Sequence, residues 1–152
     1  MLNNKNIKKR LTKNELSQLR AELSHALFIF EKDYQSIRQA RISISMSKKP
    51  NPLALWAGGL AAWRMKDTKL SRYFFNKLSD AQGPEGITAA GGYWSARISY
   101  LLGNAKKANY FLKKAAKLQK AKHIVRVTGD NPLTDPKIID KLILSHIKNK
   151  SD

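Results

Sequence analysis

The chain has 152 residues, of which 42% are hydrophobic and 26% are charged, and its formal net charge is +18 at pH 7. This length and composition are sufficient for one globular domain with a core of its own. The sequence contains no cysteine, which excludes disulfide bonds, thiolate metal sites and a cysteine nucleophile.

The positive charge is concentrated towards the two ends. The net charge is +7 for residues 1–50, +3 for 51–100 and +8 for 101–152. Such a charge favours anionic partners, namely nucleic acid, an anionic membrane surface or an acidic polymer. Most of the cations are lysines without interleaved aromatic residues, so solvated helix surfaces are the favoured interpretation and nucleic acid is not expected. No run of about 18 apolar residues is present, so no membrane span is expected.

Two amphipathic helices are predicted first. Thr12 and Glu15 form a capping box for a helix over residues 12–31, and Asp33 is predicted to cap a second. Residues 42–46 also alternate like a strand, but a helix is favoured because no neighbouring strand is available for pairing. The side chains predicted to face the core are Leu16, Leu19, Leu23, Ala26, Leu27 and Phe30, then Tyr34, Ile37, Ala40, Arg41 and Ile44.

Four more helices are predicted by their boundary residues. Asn51 and Pro52 begin the third, and Asp67 or Thr68 begins the fourth. After a break at residues 83–86, the fifth helix ends at Gly103 and Asn104 caps the sixth. The predicted core residues are Leu53, Trp56, Leu60, Trp63, Leu70, Phe74, Leu78, Ile87, Ala90, Trp94, Ile98, Leu101, Ala108, Phe111, Leu112, Ala115 and Leu118.

An internal repeat links these helices. Tyr73 and Tyr110 each precede a Phe and lie 37 residues apart, and Trp56 and Trp94 lie 38 apart. A period near the roughly 34 residues of tetratricopeptide repeats indicates stacked helical hairpins. The predicted fold class is therefore all-α, a tetratricopeptide-like stack of antiparallel helical hairpins with a short strand–helix tail.

The tail differs in character from the rest of the chain. Residues 123–128 are apolar and β-branched, residues 129–136 are rich in turn formers, and helical spacing returns from Ile138. The predicted domains are a helical-hairpin domain, 1–120, and a strand–loop–helix tail, 121–152. An aspartate leaving the end of a strand can hold Mg²⁺ beside phosphates, so Asp130 is the candidate metal- and nucleotide-binding residue, and an ordinary turn is the alternative.

No catalytic constellation or cofactor is predicted, because the three histidines are scattered and the glutamates have no evident partners. Core packing is favoured for the tryptophans, with glycan stacking as the alternative. One side of the sixth helix is a candidate surface for an anionic partner, or else a solvated outer face. Its cations are Lys106, Lys113, Lys114, Lys117 and Lys120.

The segments PLALWAGGLAAWR (52–64), YFFNKLS (73–79) and AAGGYWSAR (89–97) carry a resemblance over residues 35–118. They are similar to the superhelical domain of soluble lytic murein transglycosylases. The resemblance implies a role in peptidoglycan binding and turnover, with glycan strands as partners in the periplasm. Catalysis in that family lies in a separate domain, around a Glu followed by Ser. No Glu here precedes Ser, so the chain is not expected to be active alone.

A second resemblance lies in HIVRVTGDNPLTDPKIIDKLI (123–143), which is similar to sugar cytidylyltransferases of the spore-coat polysaccharide and acylneuraminate type. In that family the residue corresponding to Asp130 helps to hold the metal and the nucleotide. The family's N-terminal nucleotide-binding segment has no counterpart here, so a truncated fragment is expected rather than a working enzyme. Two unrelated partial resemblances indicate a composite or truncated reading frame.

Three functions remain open on the sequence. The leading one is a non-catalytic superhelical segment that contributes to peptidoglycan recognition. The others are a tetratricopeptide-like module with a protein partner and a cytidylyltransferase remnant. The basic opening MLNNKNIKKR is not followed by an apolar stretch and does not predict a signal peptide, so a cytoplasmic location is the alternative to the periplasm.

Overall fold

The computed structural model describes residues 11–120 and 136–149, and every regular element in that part of the chain is a helix. The all-α prediction is therefore confirmed, whereas the strand predicted at residues 123–128 lies outside the described residues. The helices are α1 (Lys13–Ile29), α2 (Asp33–Ser45), α3 (Pro52–Arg64), α4 (Thr68–Ser79), α5 (Glu85–Leu101), α6 (Ala105–Leu118) and α7 (Pro136–Asn149).

The chain divides into two compact units, residues 1–120 and 121–152. In the first unit, α1 packs on α2, α3 on α4 and α5 on α6, which gives three antiparallel hairpins. The hairpins are joined because α3 also packs on α1 and α2, and α5 packs on α4. In the second unit, α7 carries exposed Leu144 and Ile147.

Local sequence signals set most of the helix starts. The side-chain oxygens of Asn51, Asp67 and Asn104 accept hydrogen bonds from backbone N–H groups of the first turns of α3, α4 and α6. At α1, Thr12 and Glu15 form the complete capping box. The Thr12 backbone N–H donates to the Glu15 carboxylate at 2.7 Å and, with the Thr12 hydroxyl at 2.8 Å, lowers the pKa of Glu15.

Two predicted boundaries are wrong in detail. Asp33 does not cap α2, because Lys32 occupies the cap position without a side-chain hydrogen bond and Asp33 lies in the first turn. There its negative charge complements the helix dipole. The break predicted through Gly86 ends earlier, because α5 already begins at Glu85.

The three hairpins share one turn geometry. Glu31, Lys66 and Gly103 each have a positive φ, of 58°, 61° and 74°. The next residue's N–H donates to a carbonyl five residues earlier, from Lys32 to Leu27, Asp67 to Ala62 and Asn104 to Ser99, at 2.8, 3.0 and 2.9 Å. This is the Schellman motif.

The turns define the register of the repeat. Lys66 and Gly103 lie 37 residues apart, the same interval as Tyr73 and Tyr110. The tyrosine match is therefore a structural equivalence. The 38-residue spacing of Trp56 and Trp94 is one residue out of this register.

Lys66→Gly is expected to raise the free energy of unfolding by about 0.5–1 kcal/mol, because a residue with a Cβ is strained at φ 61° and glycine is not. Gly103→Ala in the equivalent turn is the matched reverse change and is expected to lower it by a similar amount. Urea unfolding followed by circular dichroism measures both. A lower midpoint for Lys66→Gly would contradict this account.

Large side chains fill the core between hairpins, where Leu55, Phe74, Phe75, Leu78 and Ile98 are completely buried. The α3 glycines make room for two of these rings. A Cβ on Gly58 would lie 2.8 Å from the Phe74 ring, and a Cβ on Gly59 would lie 2.8 Å from the Phe75 ring. Glycine is therefore required here for close packing.

Small polar residues join α1 to α2. The hydroxyls of Ser24 and Ser36 donate to each other's backbone carbonyls, at 2.9 and 2.8 Å. Ser17 and Ser43 repeat the arrangement at 3.0 and 2.7 Å. Because all four serines are buried and all four hydroxyls are hydrogen-bonded, the serines bring the two helices close without leaving a serine hydroxyl unpaired.

The predicted core faces are confirmed only in part: Phe74, Leu78 and Ile98 are buried, but other predicted residues are half-buried or exposed. Helix α1 buries Ser17, Arg20, Ala21 and Ser24 instead of the predicted leucine face. In α3 the buried residues are mostly small, and the predicted stripe of Leu53, Trp56, Leu60 and Trp63 is only half-buried. Predicted core residues that the structure places in solvent are Ala26, Phe30, Tyr34, Arg41 and Leu101.

Candidate functional site

Residues 11–120 and 136–149 contain no assembled metal site. No three His, Asp or Glu side chains there form a group that could hold a metal ion. Asp130, the candidate metal- and nucleotide-binding residue, lies outside the described residues. Two grooves and one charged surface of the described residues are the remaining candidate sites.

An open groove of about 550 Å³ lies beside the ends of α1 and α3. We call it the aromatic groove. It is largely apolar, with two cations at its wall. Its lining residues are Phe28, Leu60, Trp63, Arg64, Lys66 and Thr68.

Helix α5 continues the aromatic surface beyond this lining. The rings of Trp63 and Trp94 meet edge to face, with centroids 5.4 Å apart. The exposed Arg97 lies over both, its guanidinium carbon 5.6 Å from the Trp63 ring centre and 5.2 Å from that of Trp94. Arg97 stands one helical turn after Trp94, which places the two side chains on one face. Hydrogen-bond donors and aromatic rings are thus adjacent.

The tryptophans have two environments. Trp94 stacks on the buried Phe75 at 5.2 Å with an interplanar angle of 11°, and Trp56 meets Phe75 edge to face. All three tryptophans pack against the core, as the favoured interpretation of the sequence predicts, yet each remains only half-buried. Of the three, Trp63 lines the aromatic groove.

Arg64 fixes one wall of the aromatic groove. Its guanidinium donates to both carboxylate oxygens of Asp33, at 2.7 and 2.5 Å, and to the Phe28 carbonyl at 2.6 Å. The hydrogen bonds to Asp33 raise the pKa of Arg64. The guanidinium also lies 4.5 Å from the centre of the Phe28 ring. Arg64 thereby holds the end of α3 against both helices of the first hairpin.

A second groove, of about 500 Å³, lies between α2 and α4. Arg41 and Lys77 are its charged lining residues, and the Lys77 ammonium lies 5.3 Å from the centre of the Tyr73 ring. The remaining lining residues are Ile44, Ser45, Pro50, Leu70 and Tyr73. This groove is more polar and carries no cluster of aromatic rings.

The predicted lysine surface divides into two kinds of residue. Lys106, Lys113, Lys117 and Lys120 are exposed. Lys114 is less exposed and forms an ion pair with Asp80 at the end of α4. One of the five lysines therefore joins α6 to the preceding hairpin, and four face solvent.

Comparison of the chain with protein-family models, with curated proteins and with solved structures finds no match. In the described residues, no helix is long and apolar enough to cross a bilayer.

Proposed function

We propose that residues 11–120 form a non-catalytic binding module of the lytic-transglycosylase superhelical type, and that the aromatic groove with Arg97 binds a peptidoglycan glycan strand. One observation carries the proposal: half-buried Trp63 and Trp94 lie in contact with each other and with an exposed guanidinium. The proposed ligand implies a periplasmic site of action.

The chemistry of the groove suits a sugar ring. A pyranose has apolar C–H faces and a polar rim of hydroxyls. Aromatic rings supply apolar contact with a defined geometry, and Arg97 supplies several N–H donors beside them. Arg64 is already engaged by Asp33 and Phe28, so it serves as a fixed wall, whereas Arg97 is exposed and lies over the two tryptophan rings.

Retention of the purified chain on insoluble peptidoglycan across a salt series tests the proposal. At about 1 M salt the Debye length falls to about 3 Å, so attraction from the overall charge is largely screened. We expect the unmodified chain to remain bound under these conditions. Trp63→Leu keeps an apolar side chain but removes the ring, and Arg97→Gln removes the guanidinium; each is expected to weaken binding roughly tenfold.

Lys117→Gln is the charge-matched control, because it removes one exposed cation outside the groove. It is expected to bind like the unmodified chain at high salt, and circular dichroism checks that all variants are folded. If all four proteins lose binding together as salt rises, charge alone is responsible and the glycan proposal fails. The groove is then better explained as a site for an apolar peptide segment of a protein partner.

A further inference from the structure

Large apolar side chains are concentrated at the hairpin turns. Phe30 is 74% exposed, Tyr34 73% and Leu101 61%. We call the group the turn edge. Its members are Ile29, Phe30, Tyr34, Met65, Tyr100, Leu101 and Leu102, all of them exposed.

The turn edge follows from the repeat. Phe30, Met65 and Leu102 each immediately precede the positive-φ residue of their turn, so they occupy one position of the same motif. The hydrogen bond from Arg64 to the Phe28 carbonyl brings the first two turns together. Since all three hairpins run in the same sense along the stack, their turns lie along one edge of it. Exposed apolar residues are common singly, but a repeated group of this size indicates an interaction surface.

Cations flank the turn edge. Lys32 and Lys66 lie within the turns, and Lys69, Lys106 and Lys107 lie in the first turns of α4 and α6; all five are exposed. The carboxylates nearby are Glu31, Asp33 and Asp67. Asp33 is held by Arg64, and Asp67 caps α4. The positive balance matches the +18 charge of the chain and complements an anionic surface.

We propose that the turn edge docks the helical module on an anionic lipid bilayer. The apolar tips enter the interfacial region of the bilayer, and the lysines meet lipid phosphates. This inference is independent of the proposed glycan ligand, because none of the apolar residues of the turn edge lines the aromatic groove and only Lys66 is shared by the two surfaces. A bilayer fits better than a folded protein, because the apolar tips sit on three separate turns and carry their own cationic flanks.

Co-sedimentation with vesicles tests the docking surface. We expect binding to phosphatidylcholine vesicles that contain phosphatidylglycerol, with little binding to phosphatidylcholine alone. The triple variant Phe30→Ser, Met65→Ser and Leu102→Ser keeps every charge, and it is expected to lose about tenfold or more in vesicle affinity. Tyr73→Ser with Tyr110→Ser removes exposed rings at 44% and 60% exposure elsewhere and is expected to bind normally.

A labelling experiment tests the docking surface without relying on the folding of the triple variant. The chain has no cysteine, so Leu102→Cys and Tyr110→Cys each create a single site for an environment-sensitive dye. The emission is expected to shift to the blue on addition of anionic vesicles at residue 102 but not at residue 110. The proposal is overturned by equal shifts, by equal binding of the triple variant and its control, or by absent vesicle binding. A dimer that the triple variant converts to monomer would assign the turn edge to self-association instead.

Discussion

Phe75→Ala is expected to lower the free energy of unfolding by about 3–5 kcal/mol. Phe75 is completely buried, stacks on Trp94 and lies against Gly59 of α3. Removing the ring leaves a cavity between the second and third hairpins and withdraws the partner of Trp94. Because natural domains are stable by only about 5–15 kcal/mol, such a loss removes much of the total.

Urea unfolding followed by circular dichroism measures this loss, and Phe30→Ala is the matched control. Phe30 is the same residue type but is 74% exposed, so its truncation is expected to change stability by less than about 0.5 kcal/mol. Similar midpoints for the two variants would show that Phe75 does not anchor the interface between the hairpins. Phe75→Ala is also expected to weaken glycan retention, because Trp94 loses the ring on which it stacks.

Gly91→Ala is expected to destabilise the protein by about 1–3 kcal/mol, although alanine is the better helix former. An added Cβ would lie 2.7 Å from the Cγ of Leu78 and 2.9 Å from the backbone nitrogen of Ser79. The backbone atom cannot rotate away, so α5 must move off α4. The expected result is a lower unfolding midpoint together with a loss of packing between these helices.

Gly86→Ala in the same helix is the control of opposite sign. Nothing lies within 4 Å of the position that its Cβ would occupy, and the residue is in the first turn of α5. Alanine there is expected to stabilise by about 0.5–1 kcal/mol, through the lower entropy of the unfolded chain and better helix propensity. Changes of the same sign at both positions would mean that contact with α4 does not decide the role of Gly91.

Helix starts were predictable because their causes are local. Thr12, Asn51, Asp67 and Asn104 cap helices through bonds to residues two or three positions later, a distance that the sequence displays directly. The positive φ of Gly103 follows equally from residue type. The same turn at Glu31 and Lys66 carries no glycine, so the motif became visible only in the structure.

The buried faces of α1 and α3 were harder to predict because close packing there mostly selects small residues. Ser24 and Ser36 are buried because each hydroxyl has a carbonyl acceptor on the opposite helix, a condition that one helix alone cannot reveal. The sequence predicts Phe30 in the core because it is apolar and correctly spaced. Helix α1 ends at Ile29, and Phe30 is left 74% exposed.

The candidate site was predictable in part. The sequence leaves core packing and glycan stacking open for Trp63 and Trp94, and the structure packs both against the core while leaving each half-buried. Arg64 could not be assigned to its role, because its partners Asp33 and Phe28 lie 31 and 36 residues away. The ion pair of Lys114 with Asp80, 34 residues apart, could not be predicted for the same reason.

The reciprocal serine bonds leave the first hairpin with one permitted alignment. Sliding α1 along α2 by a single turn, about 5.4 Å, would set Ser24 against Ala40 and break the hydroxyl pairing of buried groups. The same displacement would separate Phe28 from Asp33, the two residues to which Arg64 of α3 donates hydrogen bonds. The serine pairs therefore fix the axial alignment of α1 against α2. Through Arg64, this alignment also sets the position of the second hairpin.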